Sequence, residues 1–532
     1  MPRYPIRMGL TRRLRRLHRV LIPAALIVPL SIAGCHAGSL STQTVQSESD
    51  TGVSVALSAA PASLDFTRTS GAAIPQALMR NVYETLVTIA QDGSLSSGLA
   101  TSWDVSDDGT RYVFHLREGV RFSDGTPFTA ETVKFSIERV QSDAWTNGKK
   151  KIMDLVDDVT VIDDYTVAVT LQRSSNSWLW SMGTMVGAMM SPTGVDDDSL
   201  QQHPVGTGPF TVKRWAVGQA LTLAARDDYW GTPAASSEVT LRYFTSATGA
   251  ANALQSGDVD VVYSLQSPEL IDQLRARNRY TIEVGTTNGE VLLTMNHRRA
   301  PFDDLRVRQA VMYAIDRQAV IDTAWLGYGV DTGGAPVPPT DPWFAVDTRY
   351  PFDPEKAKAL LAEAGVTAPN NKIVLATPTR PYAMQSAEMI YSQLKAVGFD
   401  VRIEAQEFPA VWLSKVYKRH DYDMSIIVHI EPRDIANIFG NPDYYLGFDS
   451  PRVQQLLEVA DTAPAEDYTA AMRQVVDAIM EQAAADTVFN YPNIVVQAPG
   501  VTGLNPNDFG EGIELARLQR DGASATEAQE RG

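Results

Sequence analysis

The chain has 532 residues, 44% of them apolar, a formal net charge of −17 and a single cysteine. A length of this order divides into two or three domains, each with a core of ordinary size. The acidic balance excludes nucleic-acid binding, which needs clustered Lys and Arg to displace counterions, and one cysteine excludes disulfides and thiolate metal clusters.

Residues 1–34 carry seven arginines and no acidic residue. An apolar run over 20–33 follows the basic part and ends in Ile32-Ala33-Gly34-Cys35. Basic region, short apolar region and small-residue cleavage site together read as a secretory signal. The run is too short to span a bilayer and is broken by Pro23 and Pro29. A cysteine directly after Ala-Gly resembles a bacterial lipobox, in which Cys35 takes lipid and becomes the first mature residue. The expectation is a chain tethered to the extracytoplasmic face of the cell membrane. Arg12-Arg13 and Arg15-Arg16 leave twin-arginine export open beside the general route. Without the seven signal arginines the charge of −17 becomes −24. Residues 35–51 are polar and read as a flexible tether, and 521–532 as a disordered tail.

The first folded segment, 52–57, alternates as a strand. Residues 81–89 are expected to be helical, followed by a Gln91-Asp92-Gly93 turn. A strand over 111–116 leads to the turn Ser123-Asp124-Gly125-Thr126-Pro127, and Thr129 to Thr132 open a helix through 140. Two strands lie in 152–171 around Asp163-Asp164. Past the rigid turn Gly206-Thr207-Gly208-Pro209-Phe210 come strands at 211–215, 220–225 and 238–244. A helix at 247–255 ends near Gly257, and a strand at 259–263 follows. Helices are expected at 305–316, 317–326 and 354–364, the last begun by Asp-Pro and stopped at Gly365. Strand 372–377, helix 386–397, strand 401–405, helix 411–419 and strand 424–429 form an α/β run with parallel pairing. Helices 452–461 and 468–481 precede a last strand, 488–496.

Several segments together resemble family 5 extracytoplasmic solute-binding proteins of ABC importers, the group that binds oligopeptides, dipeptides and nickel. They include Leu99-Ala100-Thr101-Ser102-Trp103, Phe114-His115-Leu116-Arg117-Glu118-Gly119-Val120 and Phe122-Ser123-Asp124-Gly125-Thr126-Pro127-Phe128. Further on come Gly206-Thr207-Gly208-Pro209-Phe210, Asp228-Tyr229-Trp230-Gly231 and Leu254-Gln255-Ser256-Gly257-Asp258. The longest is Pro301-Phe302-Asp303-Asp304-Leu305-Arg306-Val307-Arg308-Gln309-Ala310, continuing to Ala314-Ile315-Asp316-Arg317. The resemblance implies an α/β, two-lobed periplasmic-binding-protein-like clamshell (type II, cluster C-like) with an extra third domain. Lobe I would comprise 52–87, 206–290 and 489–520, the extra domain 88–205, and lobe II 291–488. The chain would cross the hinge near Asn296 and Asn490.

It also implies a monomeric receptor that closes on short peptides and hands them to a permease driven by a separate ATPase. In the family an acid in the second lobe anchors the peptide α-amine. Here Glu431 falls at that position in His429-Ile430-Glu431-Pro432-Arg433-Asp434, with Asp434 as the second candidate; Ile435 replaces a usual Pro. Glu431 and Arg433 as solvated loop charges is the alternative. Arg380 in Arg380-Pro381-Tyr382 suits a peptide carboxylate, because its planar fork binds both oxygens. Tyr382, Trp412 and Tyr491 are candidate apolar walls, with Trp178 and Trp180 behind them, although aromatic residues at element ends are often core. Met182, Met185, Met189 and Met190 suit either an adaptable wall or packed core.

Motifs for a catalytic serine, a zinc protease or a phosphate loop are absent from the sequence. The reading is a lipid-anchored binding module with no catalysis, no cofactor, no resident metal and no nucleic-acid partner. Another solute (a metal chelate, haem or glycoside, with His429 as a conceivable contact) and a non-transport envelope role remain alternatives.

Overall fold

The computed structural model describes residues 52–90, 92–195, 198–508 and 510–521. The signal segment, Cys35, the tether and nearly all of the C-terminal tail lie outside these. In chain order the strands are β1 (Gly52–Leu57), β2 (Val87–Ile89), β3 (Leu95–Ser97), β4 (Ala100–Val105), β5 (Arg111–Leu116), β6 (Val156–Asp163), β7 (Thr166–Leu171) and β8 (Phe210–Ala216). They continue as β9 (Ala220–Ala225), β10 (Glu238–Tyr243), β11 (Val261–Val262), β12 (Thr281–Met295), β13 (Lys372–Pro378), β14 (Asp400–Gln406), β15 (Met424–His429) and β16 (Ala485–Gln497).

Ten of them form one mixed sheet in the order β14-β13-β15-β12-β16-β11-β1-β10-β9-β8. Its axis is the long antiparallel pair β12 and β16, whose register breaks between Thr286 and Glu290 and again between Val291 and Leu292. A bulge adds backbone to one strand and bends it. On one side of the break the pair continues into β11, β1, β10, β9 and β8; on the other, β12 pairs with β15. The same two strands thus serve both halves of the molecule. Asn490 holds the break, donating from Nδ2 to the carbonyls of Thr287 (2.8 Å) and Gly289 (2.9 Å). The parallel pairing expected from sequence holds for β13 with both β14 and β15.

Between β1 and β8 the chain builds an antiparallel sheet, β4-β5-β7-β6, under the helix Ala130–Gln141, which Thr129 and Thr132 cap reciprocally. Its core residues Phe114, Trp178 and Met189 belong to the same buried cluster as Val53, Leu221 and Leu241 of the large sheet. Met182, Met185 and Met190 are buried there too, so the methionines are packed core. The second half has two cores, one on each sheet face, because successive strand residues point to opposite sides. Val291, Leu293 and Ile426 pack with the helices Leu305–Ala314, Arg317–Trp325 and Pro381–Val397. Leu292 and Ile427 pack on the other face with Trp343, Ile435, Ile438 and Tyr445.

Two local expectations are corrected. Residues 81–89 form no helix: the carbonyls of Asn81 and Val82 accept from Phe210 and Gly208 (2.9 Å each), so they are not free for helical bonds, and β2 pairs with β3 instead. Gly206 and Gly208 permit this approach, since a Cβ on either would fall 2.0–2.4 Å from those carbonyl oxygens. Residues 411–419 form a short α-turn, Ala410–Trp412, followed by a π-helix, Leu413–Lys418. The apolar spacing signalled helix but did not resolve its winding.

Candidate functional site: an acidic recess at the carboxyl end of β15

In a sheet of this kind ligands lie beyond the carboxyl ends of parallel strands, where loops diverge. Beyond β15 the chain runs through Ile430 to Arg433 into the helix Ile435–Gly440. With the adjoining part of β12 and the loop carrying Asp341, this segment encloses a narrow recess of about 10 Å3. Glu290, Asp341, His429, Glu431, Arg433 and Asp434 line it. Glu290 and His429 face one another across the β12–β15 ladder.

Arg433 is the most heavily engaged of these residues. Its backbone sits in the left-handed region (φ 54°), a conformation that costs a non-glycine residue about 1–3 kcal/mol and needs support from its surroundings. The guanidinium lies between the rings of Trp180 (4.4 Å) and Trp343 (4.7 Å). It donates to the Gly93 carbonyl at 2.9 Å and pairs with Asp341 at 3.6 Å. Burial pushes the Asp341 carboxyl up to about 6, with Arg433 pulling the other way. Gly93 and Trp180 come from the 88–205 segment, so Arg433 joins the two halves.

Lys149 makes a second crossing, 3.0 Å from Glu511 and 3.7 Å from Glu431. The Glu431 side chain is 54% exposed, and burial raises its pKa while Lys149 opposes the rise. A third crossing centres on Asp461 in the helix Pro451–Thr462. Its carboxylate accepts from Arg173 (2.7 Å), Ser175 Oγ (2.9 Å) and the Ser177 amide (2.9 Å). Asn176 adds donations to the carbonyls of Ala460 (3.1 Å) and Ala463 (2.9 Å). The two halves are therefore in contact around the recess.

His429 Nε2 lies 3.0 Å from the Tyr445 hydroxyl, and Nδ1 lies 3.8 Å from Asp434. Both ring nitrogens thus face protein groups. The Asp434 side chain is 11% exposed and, among the described residues, has no cation other than a protonated His429 in ion-pair range. Glu290 is 7% exposed and, among the described residues, receives no side-chain hydrogen bond and no salt bridge. Burial, with repulsion from Asp341 and Asp434, raises its pKa well above the ordinary carboxylate range. Among the described residues no group of three or more His, Cys, Asp or Glu is placed to hold a metal ion.

The residues singled out from sequence separate in space. His429, Glu431 and Asp434 meet at the recess. Tyr382 and Tyr491 pack on the opposite face of the sheet, and Arg380 stands at the start of the helix Pro381–Val397. The Tyr382 hydroxyl accepts from the Val428 amide (3.0 Å), its ring meets Tyr491 edge-on at 5.5 Å, and Arg380 lies over Phe408 at 5.1 Å. Trp412 is 4% exposed, gives its indole N–H to Ser425 Oγ (3.0 Å), and belongs to the core beneath the recess. Sequence reasoning missed Glu290, Asp341, Lys149 and Asp461, and treated Arg433 as at most a loop charge. The one local signal was Glu290 itself, an acid directly preceding the apolar run Val291-Leu292-Leu293.

The family of bacterial extracellular solute-binding proteins, family 5 (middle), matches residues 94–447, about two thirds of the chain. Haem-binding protein A of Haemophilus influenzae is 32% identical over 315 residues, covering 54% of this chain and 57% of the relative. The glutathione-binding protein GsiB of Salmonella typhimurium is 29% identical over 339 residues, covering 63% and 65%. The chain thus spans 57–65% of the length of these curated relatives. A dipeptide-binding protein from Pseudoalteromonas sp. SM9913, solved with Met-Leu, superposes with a TM-score of 0.75 at 23% identity, covering 88% of this chain and 100% of that one. The substrate-binding protein CtaP of Listeria monocytogenes gives 0.79 at 20%, covering 88% and 99%. The clamshell fold with its extra domain is shared with these structures. Among the described residues no helix is long and apolar enough to cross a membrane.

Proposed function

Because this chain belongs to family 5 of the bacterial extracellular solute-binding proteins, we propose that it is the substrate-binding component of an ABC importer and captures short peptides. The lobes divide at the β12 and β16 register break, with 88–205 attached to the first lobe. Peptide enters between them, the lobes close, and the closed form delivers its load to a permease powered by an ATPase on another chain. Lipid on Cys35 holds the receptor at the extracytoplasmic face. Its work is binding, with no bond made or broken.

The observation that carries the peptide reading is an acidic recess bounded by groups from both halves. A free peptide brings an ammonium group into such a cleft, and a buried ammonium needs a fixed counter-charge. Asp434 takes this role: its carboxylate is sheltered, and among the described residues no lysine or arginine forms a salt bridge with it. Glu431 is the weaker anchor, because Lys149 already occupies its cationic side. Backbone groups at the strand ends then hold the extended peptide without reading its sequence. The relatives described as binding glutathione and Met-Leu take ligands of this kind. Haem fits His429 poorly, since both ring nitrogens face protein groups.

Calorimetric titration with free and N-acetylated tripeptides tests the assignment. Asp434→Asn should weaken free tripeptides at least tenfold and leave the acetylated ones unchanged, while Glu431→Gln changes either by less than threefold. Equal losses for both ligand forms in Asp434→Asn would refute the anchor.

A further inference from the structure

The recess holds more negative charge than one ammonium answers. Asp341 is matched by Arg433 and Glu431 by Lys149. If Asp434 takes the peptide α-ammonium, Glu290 is left over. It is 7% exposed, lines the same recess, and among the described residues has neither a side-chain hydrogen bond nor a salt bridge. A carboxylate buried without a partner is strongly disfavoured, and an ion pair is its usual remedy.

We infer that Glu290 is the counter-charge for a second ligand cation, so that the recess selects peptides whose first residue has a basic side chain. This rests on the peptide reading above and adds a side-chain preference to it. The position suits the role. Glu290 follows the register break, where Thr287 and Asn288 leave the regular ladder, and lies directly across from His429, the strand end nearest Asp434. The β12 backbone holds Glu290 and the start of the helix Ile435–Gly440 holds Asp434, both lining the recess, where a lysine or arginine could span them with its α-ammonium and side chain. In this conformation the recess has about 10 Å3 of free space, room for roughly one water, so a ligand cation enters only as the halves part around it. His429 completes the wall, its Nε2 3.0 Å from the Tyr445 hydroxyl.

The test compares Lys-Ala-Ala with norleucine-Ala-Ala, which keeps the α-ammonium and chain length but lacks the side-chain charge. The wild-type protein should bind the lysine peptide at least tenfold more tightly. Glu290→Gln should bring the ratio near one by weakening Lys-Ala-Ala alone, and should raise the unfolding temperature at neutral pH, because the buried carboxyl, unlike the amide, gains by ionising when the chain unfolds. Glu290→Asp keeps the charge and should retain a reduced preference, which covers the case of a Gln variant that does not fold. Equal wild-type affinity for both peptides overturns the subsite and leaves the peptide reading standing. A preference that survives in Glu290→Gln, or a lowered unfolding temperature, also overturns it. Binding of neither peptide overturns the subsite together with the peptide reading.

Discussion

Removing the Arg433 side chain should open the molecule. Two of its contacts cross between the halves, the Trp180 ring at 4.4 Å and the Gly93 carbonyl at 2.9 Å. The other two, Trp343 and Asp341, lie in its own half. A desolvated cation–π contact contributes about 2 kcal/mol and a hydrogen bond from a charged donor about 1.5–3 kcal/mol. With 12% of the side chain exposed, screening by water is small. Arg433→Ala therefore costs the closed state about 4 kcal/mol relative to the open one, close to a thousandfold in the closed-to-open ratio. The contacts within its half affect unfolding instead, since Asp341 is left buried without its cation, which costs about 3–5 kcal/mol. In a Cys35→Ala background no other cysteine remains, so dyes attached at Asp143→Cys and Glu363→Cys report the separation of the halves. Single-molecule energy transfer should show the closed population falling in Arg433→Ala. Arg433→Lys should recover part of it, keeping charge without the planar stack. Transfer histograms and peptide affinity matching the parent in Arg433→Ala would refute the clasp.

Two further outcomes are expected. The Asp341 carboxyl, at about 6 in the folded protein against 3.8 in the unfolded chain, favours folding below pH 4 and loses that contribution, on the order of 3 kcal/mol, as pH rises through 6. Asp341→Asn should therefore gain in unfolding temperature relative to the parent between pH 4 and 6.5 in differential scanning calorimetry; parallel curves would remove Asp341 from the account. Asp461→Asn gives up an ion pair and weakens three acceptor contacts, and should raise the peptide dissociation rate about tenfold in stopped-flow displacement. Arg173→Ala should have a smaller effect, because that side chain is 46% exposed and its pair is screened.

Much of the architecture was legible in the chain itself, because its signals are local. Alternation marked β5, β7 and β9, the Asp-Pro start and Gly365 stop bounded the helix Pro354–Glu363, and Thr129 announced the helix it caps. The loop after β15 was legible too, since its acids stand close together in sequence. What the tertiary structure decided was which groups meet. Residues 81–89 lost their helix to bonds with Gly208 and Phe210, more than 100 positions away. β12 escaped notice because Thr286 to Gly289 interrupt its pattern, and with it went Glu290, whose isolation exists only when Asp341 and Asp434 fold against it. Tyr491 went to the other face of the sheet from His429, since it follows Asn490, which is level with Glu290 and His429, and neighbouring strand positions point in opposite directions; Tyr382 meets it there from the helix Pro381–Val397. Arg433 looked like a loop charge until Trp180, about 250 residues earlier, closed over it. Propensity and capping act over a few residues, whereas burial and charge compensation depend on partners that only the folded chain brings together.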